Sequence, residues 1–546
     1  MIDPASIELL QQRNGPEDWI YIVIGVIYLL WSIFKPLLKR FLQSDDKEGS
    51  TASGVEIGDL LKELEAPQPQ TTPRGNDEES RGRGKEKLEA VISRATTLQT
   101  AIQELIAEIE LTPSMFHFVA PLEANLQPQV AELVRGVHAD LRAIDALGTS
   151  AVEQRTTRYE RYIRYYNSTL RLITKILRSR DARAVRDLLA DADRVADRCF
   201  DPMRSFAETH FDNYPVKSAV CLLEGRDLAV SNQLAAAGLA LIHLPDDFAQ
   251  NVTLWPAIAH EIGHVAYLTF PGLAEEFTRL MPGRPAQQLF WVTQQLTSQH
   301  IDELIATWAE ELFADIFGAM QFGPAYIIGQ TTQFGSVDEP RLAALIGVNG
   351  ARYDEHPPPQ LRILVASQAL EYLGYGTAAH KVVERWDKLH GGRRADYFLP
   401  GIEGNLVAID AEVIEEPVRD LVARVLDYQF ATIGGYSLRS VPGLAFAENQ
   451  HYGAVRDVEQ MIAGDQVSHL DPREMVAAIV YLAAQGGYTE RDLATLLRRS
   501  VVGLGVGEHA ETPEYRTRPG RAAADPQAWF EAVVLHDVLR RSGLRL

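Results

Sequence analysis

Cysteine is almost missing from this chain. Cys199 and Cys221 are the two present in 546 residues, too few for a disulfide framework, and the lack of any Cys-x-x-Cys pair excludes a thiolate metal site. Such usage suits a reducing compartment. Positive charge is in deficit as well: 53 Lys and Arg stand against 74 Asp and Glu, a formal net charge of −21, so polyanions are repelled over most of the surface and no nucleic-acid partner is expected. Long apolar runs are lacking after the first forty residues. What remains, 46% hydrophobic and 23% charged, is the composition of a globular chain, and its length exceeds what one hydrophobic core organises. Leu, Ala, Val and Arg dominate, so the expected fold class is predominantly α with a small β-sheet (α+β).

The one long apolar run, "WIYIVIGVIYLLWSIFKPLLKRFL", begins at Trp19 after a short N-terminal tail (1–18) and carries no charge before Lys35. Its length suits a transmembrane anchor over 19–38, with Trp19, Tyr21 and Trp31 at the interfaces. Glu17 and Asp18 precede it and basic residues follow, the reverse of a cleaved signal peptide. Lys35, Lys39 and Arg40 on that flank predict a single-pass membrane protein with its N-terminus outside and its catalytic part cytoplasmic. Residues 44–84, rich in Ser, Pro, Gly and charge, read as a disordered linker.

A helical domain is expected over 85–210. Leu88, Val91, Ala95, Leu98, Ile102, Leu105 and Ile109 alternate spacings of three and four, the seam of a helix in a bundle or, alternatively, of an oligomerising coiled coil. Further on, Arg155, Arg158, Arg161, Arg164, Arg171, Lys175 and Arg178 alternate with Tyr159, Tyr162, Tyr165 and Tyr166. Base stacking or anionic lipid is one use of that pattern, a solvated face paired with the acidic remainder the other. Two apolar stretches, 216–224 and 238–244, read as strands. The second immediately precedes the most informative segment and is expected at a sheet edge, where an extended peptide could add.

That segment is "AIAHEIGHVAYL". Pro256 suits a first helical turn, with Thr253 a candidate cap, and His260 and His264 then stand on one face one turn apart, close enough to share a metal ion. Glu261, offset by one residue, approaches a metal-activated water as a base in the His-Glu-x-x-His arrangement. Downstream, "AEELFADIFGAM" places Glu311 and Asp315 four apart on a second helix, with Ala314 and Gly318 small enough for close approach. In these elements the chain resembles the gluzincin zinc metallopeptidases. The resemblance implies one Zn2+ per chain held by His260, His264 and Glu311, with Asp315 accepting from an imidazole N–H. Glu310 competes for the ligand role but lacks an aspartate one turn on.

A third element, "HPPPQLR", sets His356, Pro357, Pro358 and Arg362 in the spacing His-Pro-Pro-x-x-x-Arg. It is similar to the element following the metal ligands in the CAAX prenyl protease and HtpX type of membrane metallopeptidase, with Glu355 where Thr is usual. These resemblances imply a zincin-like metallopeptidase core over 211–375 and an endopeptidase of protein or peptide substrates, which the apolar run at 19–38 would anchor to the membrane; the relatives place several membrane helices around that core, where this chain offers one such segment. Glu261 would be its general base, and His356, Tyr353 or Arg362 would donate to the oxyanion, His356 being preferred. The alternative is a catalytically silent zinc-binding adaptor. Beyond 375 the sequence returns to helix (376–546), with turns near "GGRR", "GGYS" and "QGGYTERD", where Thr489 can cap. The "GLGVGE" stretch lacks phosphate-loop context and reads as a turn. The helical flanks offer surface for a regulatory partner or an oligomer.

Overall fold

The computed structural model describes residues 77–497 except 112–114, 116–117, 212–213, 215, 225–227, 284–297, 347–351, 391–395, 401–405, 464–469, 487 and 490–491. Among the described residues the chain is mostly helical, with small sheets of two or three strands.

The membrane expectation is corrected. No helix among the described residues is long and apolar enough to cross a membrane, and the run at 19–38 on which that expectation rested lies outside them. The longest helices, of 34, 31 and 28 residues, have the length but carry charge along their outward faces. The "GLGVGE" turn also lies outside the described residues.

Helix α1 (Asp77–Glu110) begins inside the stretch expected to be linker. Its seam, Leu88 to Ile109, is at most 5% exposed at each expected position, because it packs against α2 (Gln127–Arg142) and α3 (Thr149–Ser179) in a bundle. Ion pairs Lys87–Glu153 and Arg94–Glu160 set α1 and α3 in parallel. On α3, Arg155 pairs with Asp140 and Lys175 with Glu224, while Tyr159 donates to Asp140 at 2.6 Å.

Helix α4 (Arg183–His210) leads into a three-stranded sheet of β1 (Ser218–Leu223), β2 (Ala229–Ser231) and β3 (Leu239–Leu244). The spatial order is β1-β3-β2, with β3 parallel to β1 and antiparallel to β2. The 238–244 stretch is therefore central, not an edge as expected, and both of its hydrogen-bonding sides are taken. Side chains alternate across the sheet. Val220, Leu222, Leu239 and Leu241 join the core of the α1–α3 bundle, whereas Ala219, Cys221, Ala240 and Ile242 join a larger core beneath the remaining helices. The outer edge of β1 is closed by α4. Asp193 and Asp197, one turn apart, accept the N–H groups of Cys221 at 2.7 Å and Ala219 at 2.9 Å, and Arg204 donates to the Lys217 carbonyl at 2.6 Å.

Below the sheet lie α5 (Ala257–Thr269), α6 (Leu273–Thr278), α7 (Ser298–Thr307), α8 (Ala309–Phe322) and α9 (Pro324–Gln333). A β4 (Leu345–Ile346) and β5 (Arg352–Tyr353) pair precedes α10 (Pro359–Tyr372) and α11 (Gly376–Leu389). The expected C-terminal helices follow as α12 (Ala411–Asp427), α13 (Glu448–Ala463) and α14 (Pro472–Gln485), with Thr489 Oγ1 accepting from Asp492 N at 3.1 Å as a cap does. Between α11 and α12 is a hairpin the sequence did not predict, β6 (Tyr397–Pro400) with β7 (Leu406–Ile409).

Candidate metal centre

Helix α5 follows a 3₁₀ turn whose cap is Asn251, accepting from Thr253 N at 3.1 Å. Thr253 spends its own hydroxyl on Asn251, at 2.6 Å, so it is not the cap expected of it. The helix is buried along its length, including His260, Glu261 and His264 at 6–7% exposure. Its closest neighbour is α8, and the close approach has a visible cause. A Cβ on Gly263 would lie 2.8 Å from the Ala314 Cα, so glycine facing alanine lets two backbones touch. Gly318, expected to serve the same approach, instead makes room for the Tyr326 ring, which a Cβ there would meet at 2.3 Å.

This packing brings the sequence-predicted residues of the two helices together. His260 Nε2 and His264 Nε2 are 3.1 Å apart, and the Glu311 carboxylate spans both, with Oε2 3.3 Å from the first and Oε1 3.4 Å from the second. The Nδ1 atoms point the other way. That of His260 is 3.1 Å from Asp315 Oδ1 and that of His264 is 3.0 Å from Glu310 Oε1. Each imidazole thus has a carboxylate behind it that favours the Nδ1–H tautomer and leaves its Nε2 lone pair facing the other ring. Glu310 sits behind a histidine, on the side away from the shared space, not in competition with Glu311.

Asp315 is wholly buried and heavily engaged. Tyr326 donates its hydroxyl to it at 2.7 Å, Gln330 Nε2 at 2.7 Å, and Arg362 forks onto both oxygens at 2.9 and 2.7 Å. Arg362 is thereby committed to holding the carboxylate, with Nη2 also 3.1 Å from His260 Nε2. Burial acts to raise the Asp315 and Glu311 carboxyls, but Arg362 for the first, and His264 with Arg362 for the second, outweigh it and hold both below the usual range. For His260, burial and Arg362 push down, while hydrogen bonds to Asp315 and Glu311 prevail and carry it to about 9. The space between the rings attracts positive charge.

His356 reaches the same cluster from the loop before α10. Its Nε2 is 3.3 Å from Glu311 Oε1 and its Nδ1 is 2.7 Å from Asp354 Oδ1. The hydrogen bond to Asp354 raises its pKa, and its side chain is 60% exposed. Tyr353 is not brought in: its hydroxyl donates to the Pro400 carbonyl at 3.3 Å, away from the histidines. The sequence reading missed Tyr326, Gln330 and Asp354. Asp354 two residues before His356 was a readable signal, whereas Tyr326 and Gln330 lie on a helix nothing had tied to the site.

The donor set suits a cation. Two imidazole nitrogens confront each other within hydrogen-bonding distance, and the buried Glu311 Oε2 meets His260 Nε2 at 3.3 Å and Arg362 Nη1 at 3.5 Å without well-aligned hydrogen-bond geometry. One atom each of His260, Glu261 and His264 falls within 4.8 Å of the others, so the buried group could hold a metal ion. No family model, curated protein or solved structure matches this chain.

Proposed function

We propose that this protein is a zinc-dependent endopeptidase with a zincin-like core, hydrolysing peptide bonds of protein substrates. The observation that carries the reading is the convergence of His260 Nε2, His264 Nε2 and the Glu311 carboxylate from two helices, with a carboxylate behind each ring. Two nitrogens and one carboxylate are a donor set suited to catalytic zinc, which leaves a coordination position open. When bound, zinc supplies Lewis-acid polarisation of a carbonyl and acidification of water.

The chain's own groups do the rest. One Glu261 carboxylate oxygen lies within 4.8 Å of a ring nitrogen of each histidine, and it takes the proton of the attacking water and returns it to the leaving amine. His356, protonated at Nδ1 towards Asp354, is exposed enough to meet substrate and donates to the oxyanion. Arg362 and Tyr326 keep Asp315, and through it His260, in place. An extended substrate pairs with β2, since α4 closes the β1 edge and β2 packs against α5.

The test is the full chain loaded with zinc, wild type against Glu261→Gln, incubated with a proteome-derived peptide library and read by mass spectrometry of new termini. The expected result is cleavage by wild type that drops at least about 100-fold in the variant, with zinc content unchanged. Equal cleavage by both rules out Glu261 as the base. Zinc binding without cleavage by either makes the chain an adaptor.

A further inference from the structure

Helix α3 carries positive charge that the metal centre does not use. Its acidic residues are Glu153 and Glu160, and each is spent on α1, the first pairing with Lys87 and the second with Arg94. Beyond Glu160 the helix holds Arg161, Arg164, Arg171, Lys175 and Arg178 and no acidic residue. At about 100° per residue these side chains leave the helix within a sector of about 100°, so they form one stripe, about 25 Å long at ~1.5 Å per residue. All of them are exposed. Lys175 pairs with Glu224 beside the end of β1, but the guanidinium groups of Arg161, Arg164, Arg171 and Arg178 make no ion pair or hydrogen bond among the described residues. On a chain of net charge −21, this line of unpaired arginines is a local reversal of sign.

The tyrosines interleaved with them are turned the other way. Tyr159, Tyr162 and Tyr165 pack against the bundle core and Tyr166 is 4% exposed, while the Tyr159 and Tyr166 hydroxyls donate to Asp140 at 2.6 Å and to Gln129 at 3.2 Å. No aromatic platform for a base therefore stands beside the arginines. A duplex or a charged bilayer would also spread its negative charge over the acidic remainder of the surface, which repels it. A short acidic segment carries charge only where the stripe is. Its carboxylates match the guanidinium fork with two oxygens each. Arg164, Arg171 and Arg178 recur every seven residues, about 10 Å, the separation of glutamates two turns apart on a partner helix.

We propose that this face of α3 docks an acidic helical segment of a partner protein, whose carboxylates seat on Arg161, Arg164, Arg171 and Arg178. The occupant supplies the negative charge that the bundle gives to none of these four.

The experiment titrates the full chain into a fluorescently labelled Glu/Ala peptide of about 20 residues, with glutamates three and four apart, which spans ~30 Å as a helix. Single-stranded DNA of equal charge and phosphatidylserine vesicles are the rival probes. The peptide is expected to bind at about 50 mM salt and to weaken at about 300 mM, as exposed ion pairs do. Arg161→Gln, Arg164→Gln, Arg171→Gln and Arg178→Gln together are expected to weaken it about tenfold, the compounded effect of surface pairs. Lys381→Gln with Arg385→Gln, exposed positions on α11, should leave it unchanged. No binding of the peptide, or an equal loss in the α11 variant, overturns the proposal. Tighter binding of DNA or vesicles that the α3 variant loses overturns it in favour of a polyanion. A wild type that light scattering finds dimeric, with the α3 variant monomeric, overturns it in favour of a second copy of this chain.

Discussion

At the residue scale the organising fact is that neither histidine is left to orient itself. Asp315 behind His260 was legible through the gluzincin resemblance, whose Glu-x-x-x-Asp pattern implies that role for it, and residues four apart do stand on one helical face. Glu310, set aside as a ligand because it lacks an aspartate one turn on, takes a place behind His264 that the sequence did not show. Adjacent residues on a helix point about 100° apart, and the sequence alone does not say which of two neighbouring glutamates faces the metal and which passes behind the ring. The contact at 3.0 Å from His264 Nδ1 assigns it a consequence. Glu310→Gln preserves an acceptor oxygen but removes the charge that raises the basicity of the imidazole, so zinc affinity is expected to fall about tenfold, measured by competition with a chelator of known affinity. Unchanged affinity would mean that Glu310 contributes nothing to the centre.

At the element scale, the two helices meet because Gly263 and Ala314 allow it. Helix periodicity and the motif spacing made both helices legible, as short continuous apolar stretches made β1 and β3 legible. The order of the strands was not, because β2 is only three residues long and its pairing with β3 is a tertiary event that displaces the 238–244 stretch from edge to centre. Tyr326 and Gln330 were hidden likewise, since their aim at Asp315 depends on how α9 turns back after Gly323, a residue at φ 54° where glycine is favoured. Gly263→Ala tests the close approach. Its Cβ would press on the Ala314 backbone, which has no flexible end to swing away, so the helices must part. The expected result is a loss of about 1–3 kcal/mol in stability together with weaker zinc binding. A variant as stable as wild type, with zinc affinity intact, would show that the helices have slack.

At the scale of the whole described molecule, the sheet is a partition with a hydrophobic cluster on each face, tied across by Arg180, which donates to Asp193 at 2.6 Å and to the Cys221 carbonyl at 3.1 Å. Stability is thus shared between distant parts, and a strained group far from the metal centre weighs on all of it. His451 is such a group. It is wholly buried with neither ring nitrogen hydrogen-bonded, among Tyr375, Phe446, Tyr452 and Tyr481 at ring separations of 5.9, 6.5, 5.1 and 5.1 Å. Burial lowers its pKa from 6.5 to about 4. The unfolded chain therefore binds a proton more readily than the folded one, and the folded state's advantage, full above pH 6.5, drains away as pH falls towards 4. Between pH 7 and pH 4.5 that loss amounts to about 2.5 kcal/mol. His451→Phe keeps an aromatic ring in the cage and carries no proton, so urea unfolding at the two pH values should show the wild type losing about 2.5 kcal/mol more than the variant. Both proteins responding alike to acid would mean that His451 finds a proton acceptor as it charges, and that the aromatic cage opens without cost.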